Sequence, residues 1–150
     1  MSKCLNGNLM PVILMGIIFM TPLLAVIPCA ASEEVYIICN KDVPLDDLSR
    51  NDLKKIFLGL KTEWDSKLRI KFALLVRNNP LHKQFLKDYI KKSASQFSMY
   101  WKQRLFLGIG FAPKSLKSEA DLIEYVAKTK GAVGYASKAS NPAVKIISVQ

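Results

Sequence analysis

The stretch that decides the fold is Leu48–Phe85, LSRNDLKKIFLGLKTEWDSKLRIKFALLVRNNPLHKQF. It opens with Ser49, a natural helix N-cap, because a hydroxyl accepts the backbone donors left open at a helix start. Leu53, Ile56 and Phe57 follow at helical spacing, and Gly59 stands where helices commonly turn left-handed and stop. Arg69–Val76 is too short for a helix of its own, and Phe72–Val76 is apolar enough for a strand buried on both faces. Arg77, Asn78 and Asn79 break that strand, and Pro80 opens the next helix at or near its first position. An arginine followed by polar residues at a helix start sets a guanidinium beside open N–H groups. That is the chemistry that holds an anion.

Working outward, Val35–Cys39 reads as the first strand. With the Ser49 helix and the Arg69–Val76 strand it is expected to form a parallel, right-handed βαβ unit. Downstream, Pro80–Lys92 puts Leu81, Phe85 and Ile90 roughly on one side of a helix. Ser95 is expected to cap the next, in which Phe97, Tyr100, Trp101 and Leu105 form a stripe read as core. Gly108-Ile109-Gly110 ends it, and Phe111–Lys117 is expected to be a loop around Pro113. Ser118, with Asp121 three positions on, approximates a capping box for a helix with Leu122, Ile123, Val126 and Ala127 on its apolar face, closed by Gly131. Ala132–Ala136 and Val144–Val149 read as short strands, parted by a turn at Ser140-Asn141-Pro142. No repeat, low-complexity segment or linker interrupts the pattern, which predicts one α/β domain.

The N-terminal segment is of another kind. Lys3 is followed by an uncharged run from Leu9 to Ala31, with Pro11–Ile27 as its apolar centre and Cys29-Ala30-Ala31 as small residues. That order predicts a signal peptide over 1–31, cleaved after Ala31, leaving 32–150 as one compact domain. An uncleaved membrane anchor is the alternative, since so long an uncharged run can span a bilayer; Pro22 and Pro28 weigh against it. A lipid attachment at Cys29 is weaker, because Pro28 stands where a small residue is wanted.

The whole chain carries 22 Lys and Arg against 12 Asp and Glu, a net charge of +10. Loss of the leader removes Lys3 alone. Such a balance favours anionic partners, and export excludes nucleic acid from among them. Lys54, Lys55, Lys91, Lys92, Lys114 and Lys117 fall at polar positions where solvation is the ordinary state. Of Cys4, Cys29 and Cys39 only the last survives processing, so no intrachain disulfide is expected, and Cys39 reads as a buried, inert thiol.

Catalysis finds little support. His82 is the single histidine, which excludes a two-histidine metal motif, and no CxxC pair or G-x-S-x-G elbow is present. His82 reads as a solvent-facing helix residue or a ligand contact. Asp46 and Asp47 flank a helix start, where the dipole explains them. Neither a metal nor a cofactor is expected.

The order L-S-x-x-D-L-x-x-I-F-x-G, then Trp64, then a strand ending in Arg77, resembles the periplasmic phosphate-binding proteins of ABC transporters. Tyr100-Trp101 with Arg104, Phe106 and Gly108, the capped helix at Ser118, and GAVGY at Gly131–Tyr135 agree in order and spacing. The resemblance runs from about Val35 to Ser137 and is closest to short, single-lobe relatives. It implies a single periplasmic-binding-protein-like α/β lobe, with a mixed, mostly parallel sheet flanked by helices. In that family the strand end looks like R-x-D-x-S-G-T, where arginine, serine and threonine donate to phosphate and the aspartate accepts its proton. Arg77 matches the arginine, but Asn79 stands for the aspartate, Leu81 for the serine, His82 for the glycine and Lys83 for the threonine. The resemblance therefore leaves Arg77, Asn78, Asn79, His82 and Lys83 as the candidate ligand contacts. Two hydroxyl donors are gone, together with the acid that distinguishes protonated phosphate from sulfate.

The function expected is that of an exported, periplasmic, non-enzymatic binding module holding a small anion such as phosphate weakly. A membrane transporter or an envelope protein is its expected partner. The alternative is an envelope interaction protein that keeps the fold and has lost the ligand site.

Overall fold

The structure is a computed structural model, and it describes residues 34–138 and 141–150. The leader expected over 1–31 and Ser140 of the expected turn lie outside the described residues. Six strands form one sheet: β1 (Tyr36–Asn40), β2 (Asp47–Leu48), β3 (Lys71–Leu75), β4 (Lys114–Leu116), β5 (Ala132–Ala136) and β6 (Val144–Val149). Their order is β2-β6-β1-β5-β3-β4. The helices are α1 (Arg50–Phe57), α2 (Pro80–Phe85), α3 (Ala94–Phe106) and α4 (Glu119–Lys128), and α2 runs on into a π turn at Leu86–Ile90.

The sheet is mixed and mostly parallel. β2 pairs parallel to β6, and β3 parallel to both β4 and β5, whereas β1 pairs antiparallel to β5 on one side and β6 on the other. β1 is therefore the one reversed strand, and it lies at the centre. This corrects the expected βαβ unit: β1 and β3 run in opposite directions with β5 between them. The connection between them already contains β2, which pairs with β6 at the far edge, so the chain leaves β1 away from β3. β4, short and polar in sequence, replaces the expected loop by pairing with β3 along Ala73–Leu75.

Helices cover both faces. Successive strand residues point to opposite sides, and β5 shows it. A Cβ on Gly134 would stand 2.6 Å from Leu122 of α4. Next to it, the Tyr135 ring stacks on Phe85 of α2 at 4.1 Å. The interior holds the apolar positions read from α1, β1, β3 and β5, with Ile37, Ile38, Cys39, Leu53, Ile56, Phe57, Leu122 and Val126 buried. Cys39 is buried as expected, and burial pushes its thiol up to about 12, so it stays protonated and unreactive.

Three pieces of the sequence pattern meet where α1 ends. Tyr100 Oη donates to the Leu58 carbonyl (2.8 Å), Trp101 Nε1 to that of Phe57 (3.2 Å) and Arg104 Nη2 to that of Gly59 (3.4 Å). Side chains of α3 thus satisfy the carbonyls that the end of α1 leaves open. Gly59 has φ +69°, and a Cβ there would meet the Trp101 ring at 2.7 Å, so both its conformation and its neighbour require glycine. The α3 cap is Ser93 rather than the expected Ser95. Its Oγ accepts from Gln96 N, and Gln96 Oε1 accepts from Ser93 N, a complete capping box. Phe97 and Trp101 of the expected stripe are buried and Tyr100 half-buried, while Leu105, in the last turn of α3, is exposed at the edge of a cleft. No helix among the described residues is long and apolar enough to cross a membrane.

Candidate functional site

The site residues lie between the C-terminal end of β3 and the start of α3. Val76 N donates to the Leu116 carbonyl and Asn79 N to the Val76 carbonyl, folding Val76–Asn79 into a tight turn that leads into α2. Arg77, Asn78 and Lys83 are exposed there, and Asn79 is half-buried. The structure thus brings all five candidates to one turn, but it gives them different work.

Asn79 acts as the N-cap of α2. Its Oδ1 accepts from Leu81 N (2.9 Å) and His82 N (3.4 Å), and its carbonyl accepts from Lys83 N. Pro80 has no N–H at all. The backbone donors that the sequence reading left for an anion are therefore already satisfied by Asn79. An aspartate or asparagine at this position is a strong cap for the same reason that it reads as a ligand residue.

His82 is buried, at 4% exposure, which corrects its reading as solvent-facing. Helix periodicity alone left its direction open, and α2 turns it towards β5. There His82 Nδ1 lies 2.6 Å from Tyr135 Oη, and that hydroxyl accepts from Leu75 N at 2.9 Å. The imidazole nitrogen and the phenol hydroxyl share one short buried hydrogen bond. Burial lowers the His82 pKa to about 4, keeping the ring neutral. Burial likewise raises that of Tyr135, against the weaker opposing pull of the Leu75 N–H. The pair is a structural lock between α2, β3 and β5, and the sequence signal for it was the aromatic of GAVGY.

Arg77 and Lys83 are the two cationic candidates, and neither forms an ion pair among the described residues. Arg77 Nη2 donates to Ser95 Oγ at 2.6 Å, tying the strand end to the first turn of α3. Beside it opens a cleft of about 190 Å³ lined by Arg77, His82, Ser98, Lys102 and Ser115, with Leu74, Phe97 and Trp101 as its apolar floor. No carboxylate lines it. Ser98, Lys102 and Ser115 were missed by the sequence reading, since they come from α3 and from β4, the strand read as a loop. Among the described residues no cluster of His, Cys, Asp and Glu could hold a metal ion.

The mixed six-stranded sheet with helices on both faces has the fold of a single periplasmic-binding-protein-like lobe. Solved structures agree with that class. The chain is similar to an ABC-type phosphate transport receptor from Vibrio cholerae, with 18% identity and a TM-score of 0.50 over 77% of this chain and 45% of that one. It is similar also to a structure titled as a phosphate ABC transporter substrate-binding protein from Clostridium perfringens with bound phosphate (17%, TM-score 0.62, 77% and 44%). A third is PstS from Borrelia burgdorferi (19%, TM-score 0.57, 77% and 47%). The chain spans a little under half the length of each, and at these identities the likeness is one of fold. No protein-family model matches the chain, and no curated protein matches it by sequence.

Proposed function

We propose that this chain is an exported, non-enzymatic binding module that holds a small oxyanion at the Arg77 cleft. The observation that carries this reading is the convergence of Arg77, Ser98, Lys102 and Ser115 on one small cleft with no acid in its lining. These groups supply two cations and two hydroxyls, donors that a tetrahedral oxyanion accepts from. The cleft is open to water, so each ionic contact contributes little and the affinity is low. With the aspartate replaced by Asn79, and Asn79 engaged as a cap, phosphate and sulfate bind alike. The likeness to transport receptors supports a periplasmic location and a membrane transporter as partner, with a second chain needed to close over the anion. Calorimetry with phosphate and sulfate tests this. Arg77→Met keeps the apolar stem and removes charged hydrogen bonds contributing about 1.5–3 kcal/mol, weakening both anions about ten- to hundredfold. Tight phosphate binding unaffected by Arg77→Met would put the site elsewhere.

A second reading, an envelope interaction domain without a ligand, is favoured by the apolar residues at and beyond the end of α3. Phe106 is 91% and Phe111 77% exposed, with Leu105, Leu107 and Ile109 exposed between or beside them. This reading requires that neither anion saturates the parent chain.

A further inference from the structure

A larger, shallow surface concavity lies on the other side of Ser95. It measures about 660 Å³ and is lined by Lys83, Lys87, Lys91 and Lys92, with Ser93, Ser95 and Gln96. Lys83, Lys87 and Lys91 recur every four residues along α2 and the π turn, spacing that stacks like charges along one side and opposes folding. Every ion pair among the described residues uses other lysines, namely Lys55, Lys61, Lys128 and Lys145. Asp88, the acid of the same segment, accepts instead from Gln84 Nε2 at 2.7 Å.

Backbone geometry adds to this crowding. Lys91 has φ 59°, a left-handed conformation that a branched or long side chain adopts only at a cost. That kink ends the π turn, and π turns are often found where a helix has been adapted to a site. It also brings Lys92 and Ser93 to the mouth of α3. Ser93 Oγ takes the Gln96 N–H, leaving the Ala94 and Ser95 N–H groups outside the cap. Arg77, through its bond to Ser95 Oγ, stands at the rim. Four lysines and two hydroxyls thus line one concavity, and no carboxylate lines it.

We propose that this concavity is a second anion site, separate from the Arg77 cleft, which takes a group bearing two or more phosphoryl units. One phosphoryl unit carries about two negative charges, fewer than the four lysines present. The lysines are also spread over about 12 Å along the helix axis at the usual rise per residue, too far for one tetrahedral ion to span. An oligophosphate satisfies both conditions, whether free in solution or borne by a lipid headgroup.

Calorimetry of the full chain with tripolyphosphate and with orthophosphate tests the site. Saturable tripolyphosphate binding, about tenfold or more tighter than orthophosphate, is expected. Lys87→Gln with Lys91→Asn, asparagine being tolerant of the left-handed backbone, is expected to weaken it about tenfold. Lys117→Gln with Lys130→Gln removes the same charge from other surfaces and leaves binding unchanged. Equal losses in both double variants would overturn the proposal, because the attraction would then be the diffuse field of a basic protein. Absence of saturable tripolyphosphate binding overturns it as well. Cosedimentation with phosphatidylcholine vesicles, with and without a bisphosphate headgroup lipid, separates the sources. Capture lost in the Lys87/Lys91 variant assigns the lipid form, and tripolyphosphate binding without capture assigns the soluble one. Arg77→Met divides the two sites: it weakens orthophosphate and sulfate at the cleft but leaves most tripolyphosphate affinity.

Discussion

At the scale of single residues, the buried hydrogen bond between Tyr135 and His82 has measurable consequences. Tyr135→Phe strands Leu75 N–H and His82 Nδ1 in the interior, at a cost of about 1–3 kcal/mol in urea titration. The histidine also makes stability depend on pH. Its folded pKa, about 4, lies below the ordinary 6.5, so the unfolded chain binds more protons between those values. The contribution is complete above about pH 6.5 and is lost as the pH falls towards 4, up to roughly 3 kcal/mol. Urea midpoints measured across that window should fall with acid in the parent and fall less in His82→Phe. The place of Arg77 at the end of β3 was legible in the sequence, whereas its bond to Ser95 was not. Nor was the direction of His82, because it depends on how α2 rotates against β5.

At the scale of elements, the helix ends engage several residues of the sequence pattern. Trp101 both fills the interior and donates to the carbonyl that ends α1, so Trp101→Ala removes packing and a cap together. A loss of about 3–5 kcal/mol is expected by denaturant titration. A variant as stable as the parent would mean that α3 does not rest on α1. Ser93→Ala opens the capping box and should cost about 1 kcal/mol, whereas Ser95→Ala should cost little stability and instead release Arg77. The Ser49 and Ser118 caps were legible, since each accepts from the N–H three residues on. Ser93 was misread as Ser95 because both serines precede an apolar run, and only the Gln96 partner three residues after Ser93 separates them. A second element was hidden altogether. Asn40 Nδ2 donates to the Val126 and Ala127 carbonyls at 2.9 Å, so a β1 side chain closes the last turn of α4. Its partners lie too far along the chain for any local pattern to reveal.

At the scale of the whole molecule, what was legible is what local patterns carry: the α/β class, the spans of β5 and β6, and the basic surface. Strand direction was not, because it is set by pairing between segments far apart in sequence. Ile37 stands opposite both Tyr135 and Ile147, and only those pairings reveal that β1 is reversed. The family pattern stops near Ser137, yet the sheet does not. β6 lies between β1 and β2, and without it β1 would become an exposed, apolar edge while β2 lost its only strand partner. An unpaired apolar edge recruits other chains. Ending the chain after Ser137 therefore removes more than a terminal tail. It uncovers a central strand buried at four of its five positions and releases the backbone bonds that run from Arg50 and Ser148 to Gln150 and Asp46. In thermal denaturation followed by circular dichroism, the shortened chain is expected to lose the cooperative transition expected of the parent, and to aggregate more readily. A shortened chain with an unchanged transition would mean that β1 is held by β5 and α4 alone. Val144 and Ile147 would then be surface residues rather than part of the core that the structure gives them.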